Sequence, residues 1–396
     1  MNLPDAVVIG GGPAGSRVAS RLAEMGHEVV VLERQKQPGE RACCTGLISQ
    51  NCVTDFDIDE KVILKRANSA RLFSPSGIML RLWREKTQAC IIDRAAFDTA
   101  IADRAQEKGA KYLTGTLVKN LEVGDDRVRL EAVCRGERLN LEARAAVIAA
   151  GFGSTLAEKL GLGRVGDFVV GVQAEVATKG TDEVEAYFGE EIAPGFFAWL
   201  VPTSSRRARL GLLSRRHPRL YLERLMLSLK TQGKIIEGKV KPCYGGIPLK
   251  PLARTYGQRL LVVGDAAGQV KPISGGGIYY GLLCADIAAD TLHQALKGDN
   301  LSSRALAGYQ RRWRKKLGPE LDIGYYARKF YERLSDKQID RMFSLIKSRG
   351  IDQALLQAED LSFDWHGEAV MRLIGHKIVA NALQAMKAPF LLGRQP

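Results

Sequence analysis

Residues 5–9 (DAVVI) run straight into Gly10-Gly11-Gly12-Pro13-Ala14-Gly15, and this junction limits the possible folds more than any other feature of the chain. A short apolar run suits a buried parallel strand. The glycines stand in the order Gly10-x-Gly12-x-x-Gly15. Ala14 to Met25 then reads as a helix with small and apolar residues on one face, and His27 to Leu32 returns as a second strand ending in Glu33. Strand, glycine turn, helix and strand together form the βαβ unit that holds a dinucleotide. Gly10 makes the tight turn, Gly12 lets the backbone approach a pyrophosphate, and Gly15 lets helix and strand pack closely. Pro13 and Ala14 open the helix, whose unpaired N–H groups face the anion. Glu33, with Arg34 beside it, is placed to accept hydrogen bonds from adenosine ribose hydroxyls, and its charge argues against a 2′-phosphate there.

The chain has 396 residues, more than one hydrophobic core usually serves, so two or three domains are expected. With 45% hydrophobic and 26% charged residues and no low-complexity tract, it reads as folded throughout. The N-terminus lacks a basic stretch followed by a long apolar one, and no run reaches the ~18 apolar residues of a spanning helix. A cytoplasmic protein is expected. Seven cysteines (Cys43, Cys44, Cys52, Cys90, Cys134, Cys243, Cys284) are scattered without metal-ligand spacing, and the five histidines make none either. Neither a disulfide framework nor a metal site is expected. The net charge of +14 favours an acidic partner, and much of it follows residue 300: Arg311, Arg312, Arg314, Lys315, Lys316, then Arg328, Lys329, Arg333 and Arg341. That run reads either as a solvated helix surface or as one that meets a membrane or phosphate. Nucleic-acid binding has no supporting motif.

A second segment separates the possible cofactors. Arg259 to Val263 is another buried strand, running into Gly264-Asp265-Ala266-Ala267-Gly268, then Pro272, Gly275-Gly276-Gly277 and an apolar helix from Ile278. This order resembles the second flavin motif of the p-hydroxybenzoate hydroxylase superfamily, in which the aspartate at the Asp265 position holds the ribityl chain. The resemblance implies FAD, with the helix that opens at Gly277 and Ile278 aimed at the flavin N1/O2 edge. Ile91 to Asp98 resembles the superfamily's middle cofactor segment, which implies Arg94 beside the flavin. The expected fold is α/β, α+β overall: a Rossmann-like FAD-binding domain of the p-hydroxybenzoate hydroxylase type, an antiparallel β-sheet substrate domain and a C-terminal helical region. Alternation around turns in Leu113–Val133 and Val169–Gly211, and a buried strand at Ala145–Ala149, make the cofactor domain discontinuous. Its pieces are 1–70, 91–165 and 255–298; the substrate sheet takes 71–90 and 166–254, and the helical region 299–396.

Three stretches resemble the geranylgeranyl reductase family, flavoenzymes that saturate isoprenoid double bonds in archaeal lipids, phytyl chains or quinone tails. Pro38-Gly39 with Cys43-Cys44-Thr45-Gly46-Leu47-Ile48-Ser49 is similar to the family's Cys-x-Gly stretch on the flavin's face. Pro194 to Pro202 (PGFFAWLVP) looks like its Tyr-x-Trp-x-Phe-Pro substrate motif, with Phe197 for tyrosine and Val201 for phenylalanine. The third is the GDAAG…GGGIYYG wording of the flavin motif. The likeness covers about residues 4–300 and implies Cys44 and Gly46 at the reacting alkene, with Phe197, Trp199 and Pro202 against the substrate. Saturating a trisubstituted alkene needs hydride at one carbon and a proton at the other. If protonation leads, the Trp199 and Phe197 faces can stabilise the tertiary cation. The Cys44 thiol is the family-matched proton donor and a water relay is the alternative, since an ordinary thiol has pKa ~8.5. Cys43 reads as a bystander, and Tyr279 and Tyr280 either pack or line the tunnel.

Where the hydroxylases carry Asp-Gly, this chain has Ala150-Gly151. That departure counts against direct, rapid NADPH reduction and favours a ferredoxin-like or other donor, so the expected external reductant is NADPH or a ferredoxin-like donor. The expected partners are an isoprenoid lipid, an acidic electron-donor protein and, peripherally, an anionic cytoplasmic membrane. The competing readings are an aromatic monooxygenase, a halogenase, whose Trp-x-Trp-x-Ile-Pro segment lacks its first tryptophan here, and an electron-transfer flavoprotein module.

Overall fold

The computed structural model describes residues 3–236, 240–348, 350 and 363–365. Its first sheet is built from the apolar runs. Ala6–Ile9 lies between Val29–Glu33 and Ala145–Ile148, all parallel, with Leu260–Val262 and Lys111–Thr114 outside them and Tyr256–Gly257 antiparallel at one edge. These strands are covered on both faces, as a parallel sheet requires. Alternation along Ala6–Ile9 separates two cores. Ala6 and Val8 pack toward the helices, with Leu22, Leu292 and Trp313. Val7 and Ile9 pack against Val118, Leu121 and Leu130 of a three-stranded meander, Thr116–Val123, Val128–Cys134 and Glu137–Ala143. The fold class is therefore the α/β arrangement read from the sequence.

A seven-stranded sheet forms the second layer, in the order Cys243–Pro248, Phe168–Ala177, Arg207–Ser214, Ala198–Pro202, Val184–Tyr187, Ser69–Phe73, Met79–Trp83. All its pairings are antiparallel except Val184–Tyr187 with Ser69–Phe73. One face buries Val172, Leu200, Leu210 and Leu212 under Leu222, Leu225 and Leu229 of the helix Pro218–Thr231. The opposite face turns Gln173, Trp199 and Leu213 toward the first sheet.

The long helix Ser303–Tyr331 ties the two layers together. Tyr309 and Trp313 are buried, bonded through the Tyr309 hydroxyl to Val262 O (2.9 Å) and through the Trp313 indole N–H to Thr255 Oγ1 (3.0 Å). The basic run after residue 300 is not one surface, which corrects the sequence reading. Arg304, Arg311, Lys315 and Lys316 are exposed, but Arg328 is 5% exposed and Lys329 pairs with Asp167 at 2.9 Å. The helical region expected beyond residue 350 lies outside the described residues, apart from 363–365.

Asp167 is the hub of that docking, accepting from Arg215 (2.7 Å) and the Tyr325 hydroxyl (2.9 Å) as well as Lys329. Burial by itself would raise its carboxyl, but the bonds from Lys329, Arg215 and Tyr325 hold it at about 2 against the usual 3.8. A carboxyl lowered in the folded state contributes stability above its ordinary value and loses it as pH falls through the folded one. The wild type should therefore lose Tm between pH 3.8 and about 2 more steeply than Asp167→Asn, which lacks this step. Parallel Tm–pH curves for the two proteins would refute the assignment.

Candidate active site

The Gly10–Gly15 turn joins the strand Ala6–Ile9 to the helix Pro13–Glu24 as closely as two backbones can meet. An added Cβ at Gly15 would lie 1.9 Å from Gly10 O, and one at Gly10, where φ is +108°, would lie 2.4 Å from Ala149 O. Gly12 is different, because a Cβ there would meet nothing within 4 Å. It borders a cavity of about 460 Å³ together with Pro13 and Ala14. Gly12 caps the helix with no side-chain acceptor, so the first-turn N–H groups remain available to an anion. Glu33 is buried, its carboxylate accepting from Gly11 N–H and Gln35 N–H at 2.7 Å each. Each oxygen keeps a lone pair for a hydroxyl group. Arg34 is exposed.

The second glycine-rich segment reaches the same cavity. Gly264, Asp265, Gly275, Gly276, Gly277 and Ile278 line it, and Gly277 caps the helix Ile278–Lys297, again with no side-chain acceptor. Gly277 has no room for a side chain, since a Cβ would lie 2.7 Å from Asp265 Oδ1. Burial pushes the Asp265 carboxyl up, and Arg94 opposes that shift. Pro272 is buried behind this loop. The open backbone over Gly12, a buried carboxylate beside it and two uncapped helix N-termini on one cavity together fit the pyrophosphate, ribose and ring of FAD.

Arg94 also lines the cavity, its guanidinium held by Asp98 (Nη2 to Oδ1 2.9 Å, Nη2 to Oδ2 3.1 Å). Burial works against its charge, but Cys44 and Asp98 beside it keep the group above its ordinary value. The Cys44 sulfur accepts from Gly46 N–H at 3.4 Å. Cys44 and Gly46 face the cavity from one side, Phe197 and Trp199 from the substrate sheet. The two rings are 5.9 Å apart, and the buried Trp199 indole N–H has no hydrogen-bond partner among the described residues. Pro202 ends its strand in the core, away from the cavity. Tyr279 and Tyr280 pack against Trp365 and do not border the cavity. A second hollow of about 580 Å³, at Gln50, Thr54, Glu60 and Arg104, contains none of these motifs.

Four features of the site were missed in the sequence. Gly211 pairs with both Gln173 and Trp199, and its missing side chain leaves space for the indole: a Cβ would lie 2.5 Å from Trp199 Cζ2. A lone glycine inside an alternating strand was the available signal. Arg328 donates to Gly195 O at 3.2 Å and to the Pro272 and Ile273 carbonyls, so it joins the aromatic motif to the flavin-motif loop; burial pushes it down to about 10. Lys271 and Phe363 line the cavity, and Lys271 pairs with Asp364. The fourth is a correction: Cys43, read as a bystander in a chain without disulfides, is bonded to Cys243.

Residues 5–321 match the family model described as lycopene cyclase protein. Digeranylgeranylglycerophospholipid reductase 2 of Methanothermobacter thermautotrophicus is 33% identical over 88% of this chain and 92% of its own length. The corresponding reductase of Methanocaldococcus jannaschii is 30% identical over 85% and 89%. The chain belongs to the geranylgeranyl reductase family. Among solved structures, a geranylgeranyl bacteriochlorophyll reductase-like protein from Thermoplasma acidophilum superposes with a TM-score of 0.85 at 22% identity, covering 97% of this chain and 98% of that one. A flavin-dependent brominase reaches 0.71 at 17% identity over 97% and 98%. Geranylgeranyl reductases and flavin-dependent halogenases thus share this fold. No helix among the described residues is long and apolar enough to cross a membrane.

Proposed function

We propose that this geranylgeranyl reductase family member is a FAD-dependent oxidoreductase that saturates carbon–carbon double bonds in the geranylgeranyl chain of a lipid. One observation carries the reading: Gly12, Gly264 and Gly275 to Gly277 of the two glycine motifs, Cys44 and the Phe197–Trp199 pair all border a single cavity of about 460 Å³. The FAD would be held by Gly12, Glu33, Arg94, Asp265 and the two helix N-termini, and when reduced it supplies the hydride. The protein's own part is to orient the alkene between Cys44 and the aromatic wall, to exclude water, and to deliver a proton. The Cys44 thiol is the candidate donor, with a water relay as the alternative. Trp199 and Phe197 present ring faces to positive charge that develops on the tertiary carbon, an attraction of ~1–2 kcal/mol.

Trp199→Leu should accordingly lower turnover about tenfold while substrate still binds, because ~1.4 kcal/mol corresponds to that factor. An unchanged rate would argue against cation stabilisation, and full turnover in Cys44→Ala would remove the thiol from the mechanism. Ala150-Gly151, in the position of the hydroxylases' Asp-Gly, supports a ferredoxin-like donor over NADPH. Exposed Arg304, Arg311, Lys315 and Lys316 suit an acidic donor protein or the anionic surface of a membrane that carries the lipid.

The deciding experiment is anaerobic reduction of the flavin by dithionite, followed by geranylgeranyl lipids, phytyl precursors or menaquinone and mass spectrometry of the products. Reoxidation with two hydrogens gained per double bond is the expected result. Reoxidation by oxygen alone, with hydroxylated or halogenated aromatic products, would move the protein to the monooxygenase or halogenase branch.

A further inference from the structure

Cys43 and Cys44 are neighbours that go to different partners. The Cys43 sulfur is bonded to Cys243, 200 residues further along the chain, with the two Cα atoms 5.8 Å apart. The Cys44 sulfur accepts from Gly46 N–H and lies against Arg94. The disulfide joins two elements of the cavity wall. Cys43 begins the lining run 43–47, and Cys243 begins the strand Cys243–Pro248, whose Gly245, Gly246 and Ile247 line the same space.

Residues 34–46 form neither helix nor strand, so Cys44 does not take its direction from secondary structure. It takes it from ties on either side to the substrate sheet. On the C-terminal side, the Thr45 hydroxyl donates to Gln173 Oε1 at 3.0 Å and Arg209 donates to Thr45 O at 2.6 Å. On the N-terminal side the tie is the disulfide. With Cys43 and Thr45 both held, the one residue between them has little freedom.

We infer that the Cys43–Cys243 disulfide is a positioning element of the reaction site, holding the Cys44 sulfur toward the cavity and against Arg94. This rests on the proposed reading of Cys44 as a group at the alkene. A dithiol of the thioredoxin class can undo it: one thiolate attacks a disulfide sulfur to form a mixed disulfide, and the second thiol resolves it. Two electrons and two protons pass to Cys43 and Cys243, and the dithiol leaves as its own disulfide. In a reducing compartment the thiol poise would then set the fraction of enzyme that is clasped.

The test uses the flavin-loaded full chain, with dithiothreitol as the reductant. A non-reducing peptide map of the air-exposed protein should link Cys43 to Cys243. After dithiothreitol the link should disappear and iodoacetamide labelling of Cys44 should accelerate about tenfold, since a local opening is no longer needed. The kcat on a geranylgeranyl lipid should fall about tenfold or more with flavin still bound, as a displacement near 1 Å can cost that much. Cys43→Ser and Cys243→Ser should match the reduced wild type and ignore the dithiol, and reoxidation should rescue the wild type alone. Unlinked cysteines in the air-exposed protein, or a Cys44 labelling rate and kcat unchanged by reduction, would overturn the inference. If Cys44→Ala turns over normally, only the reading of Cys44 as a reacting group fails, and the labelling rate still judges the clasp.

Discussion

Gly15→Ala should give a folded protein without flavin colour. The added methyl would lie 1.9 Å from Gly10 O and 3.1 Å from Ala149 Cβ, and neither the turn backbone nor the parallel strand beside it can yield without moving the helix Pro13–Glu24. A core overpacked by one methyl typically loses ~1–3 kcal/mol, which a chain with several extended cores can survive. The site is more sensitive. Lifting that helix takes its first-turn N–H groups away from the cavity, and they are what the sequence and the structure jointly offer a pyrophosphate. Flavin affinity should fall by about a hundredfold or more, since ~1 Å of misplacement in a positioned site has that effect. The ratio of flavin to protein absorbance after gel filtration measures it, with far-UV circular dichroism as the control for folding. A Gly15→Ala protein as yellow as the wild type would sink the assignment of this turn to the cofactor.

Gly211→Ala should produce the complementary defect, with flavin retained and reduction of the lipid lost. The methyl would meet Trp199 Cζ2 at 2.5 Å, Val172 O at 2.6 Å and Gln173 Cβ at 2.7 Å. All three belong to wall residues of the cavity, but Val172 O and Gln173 Cβ are fixed by the adjacent strand Phe168–Ala177, so the indole, the far end of a side chain, is what must move. Displacing an aromatic platform by ~1 Å should cost about a hundredfold in kcat/KM, more than Trp199→Leu, because the ring then blocks the substrate's place as well as failing to support it. Steady-state kinetics on a geranylgeranyl lipid alongside flavin content separates the two defects. Normal kcat/KM would mean that Trp199 is a packing residue of the sheet.

The two substitutions also mark how far the sequence could be read. Gly15 is legible because its tightest constraint is local: Gly10 O, five positions back, at the turn between the strand and the helix that opens there. Gly211 was overlooked because its constraint is the partner across the strand pair, and register decides which residue that is. The aromatic motif suffered similarly. Phe197 and Trp199 of the aromatic motif border the cavity, whereas Pro202 of the same motif is buried and does not. Arg328 was counted with a basic surface because composition carries no information about burial, and only packing against Phe196 and Tyr331 shows it as an interior cation bonded to three carbonyls.

By itself, then, the sequence determined the elements whose signals are local: the glycine turns, the helices that open at Gly12 and Gly277, the buried parallel strands, and the order in which cofactor and sheet segments alternate. Short-range spacing carries these because backbone geometry over a few residues leaves few alternatives. The tertiary structure alone decided which distant residues meet. It set Gly211 beneath Trp199, Arg328 between two loops, Lys271 against Asp364, and Cys243 on Cys43 rather than on any other cysteine. Those choices depend on how the two sheets pack and register against each other. Such pairings are settled by the fit of whole surfaces, which no single stretch of chain encodes.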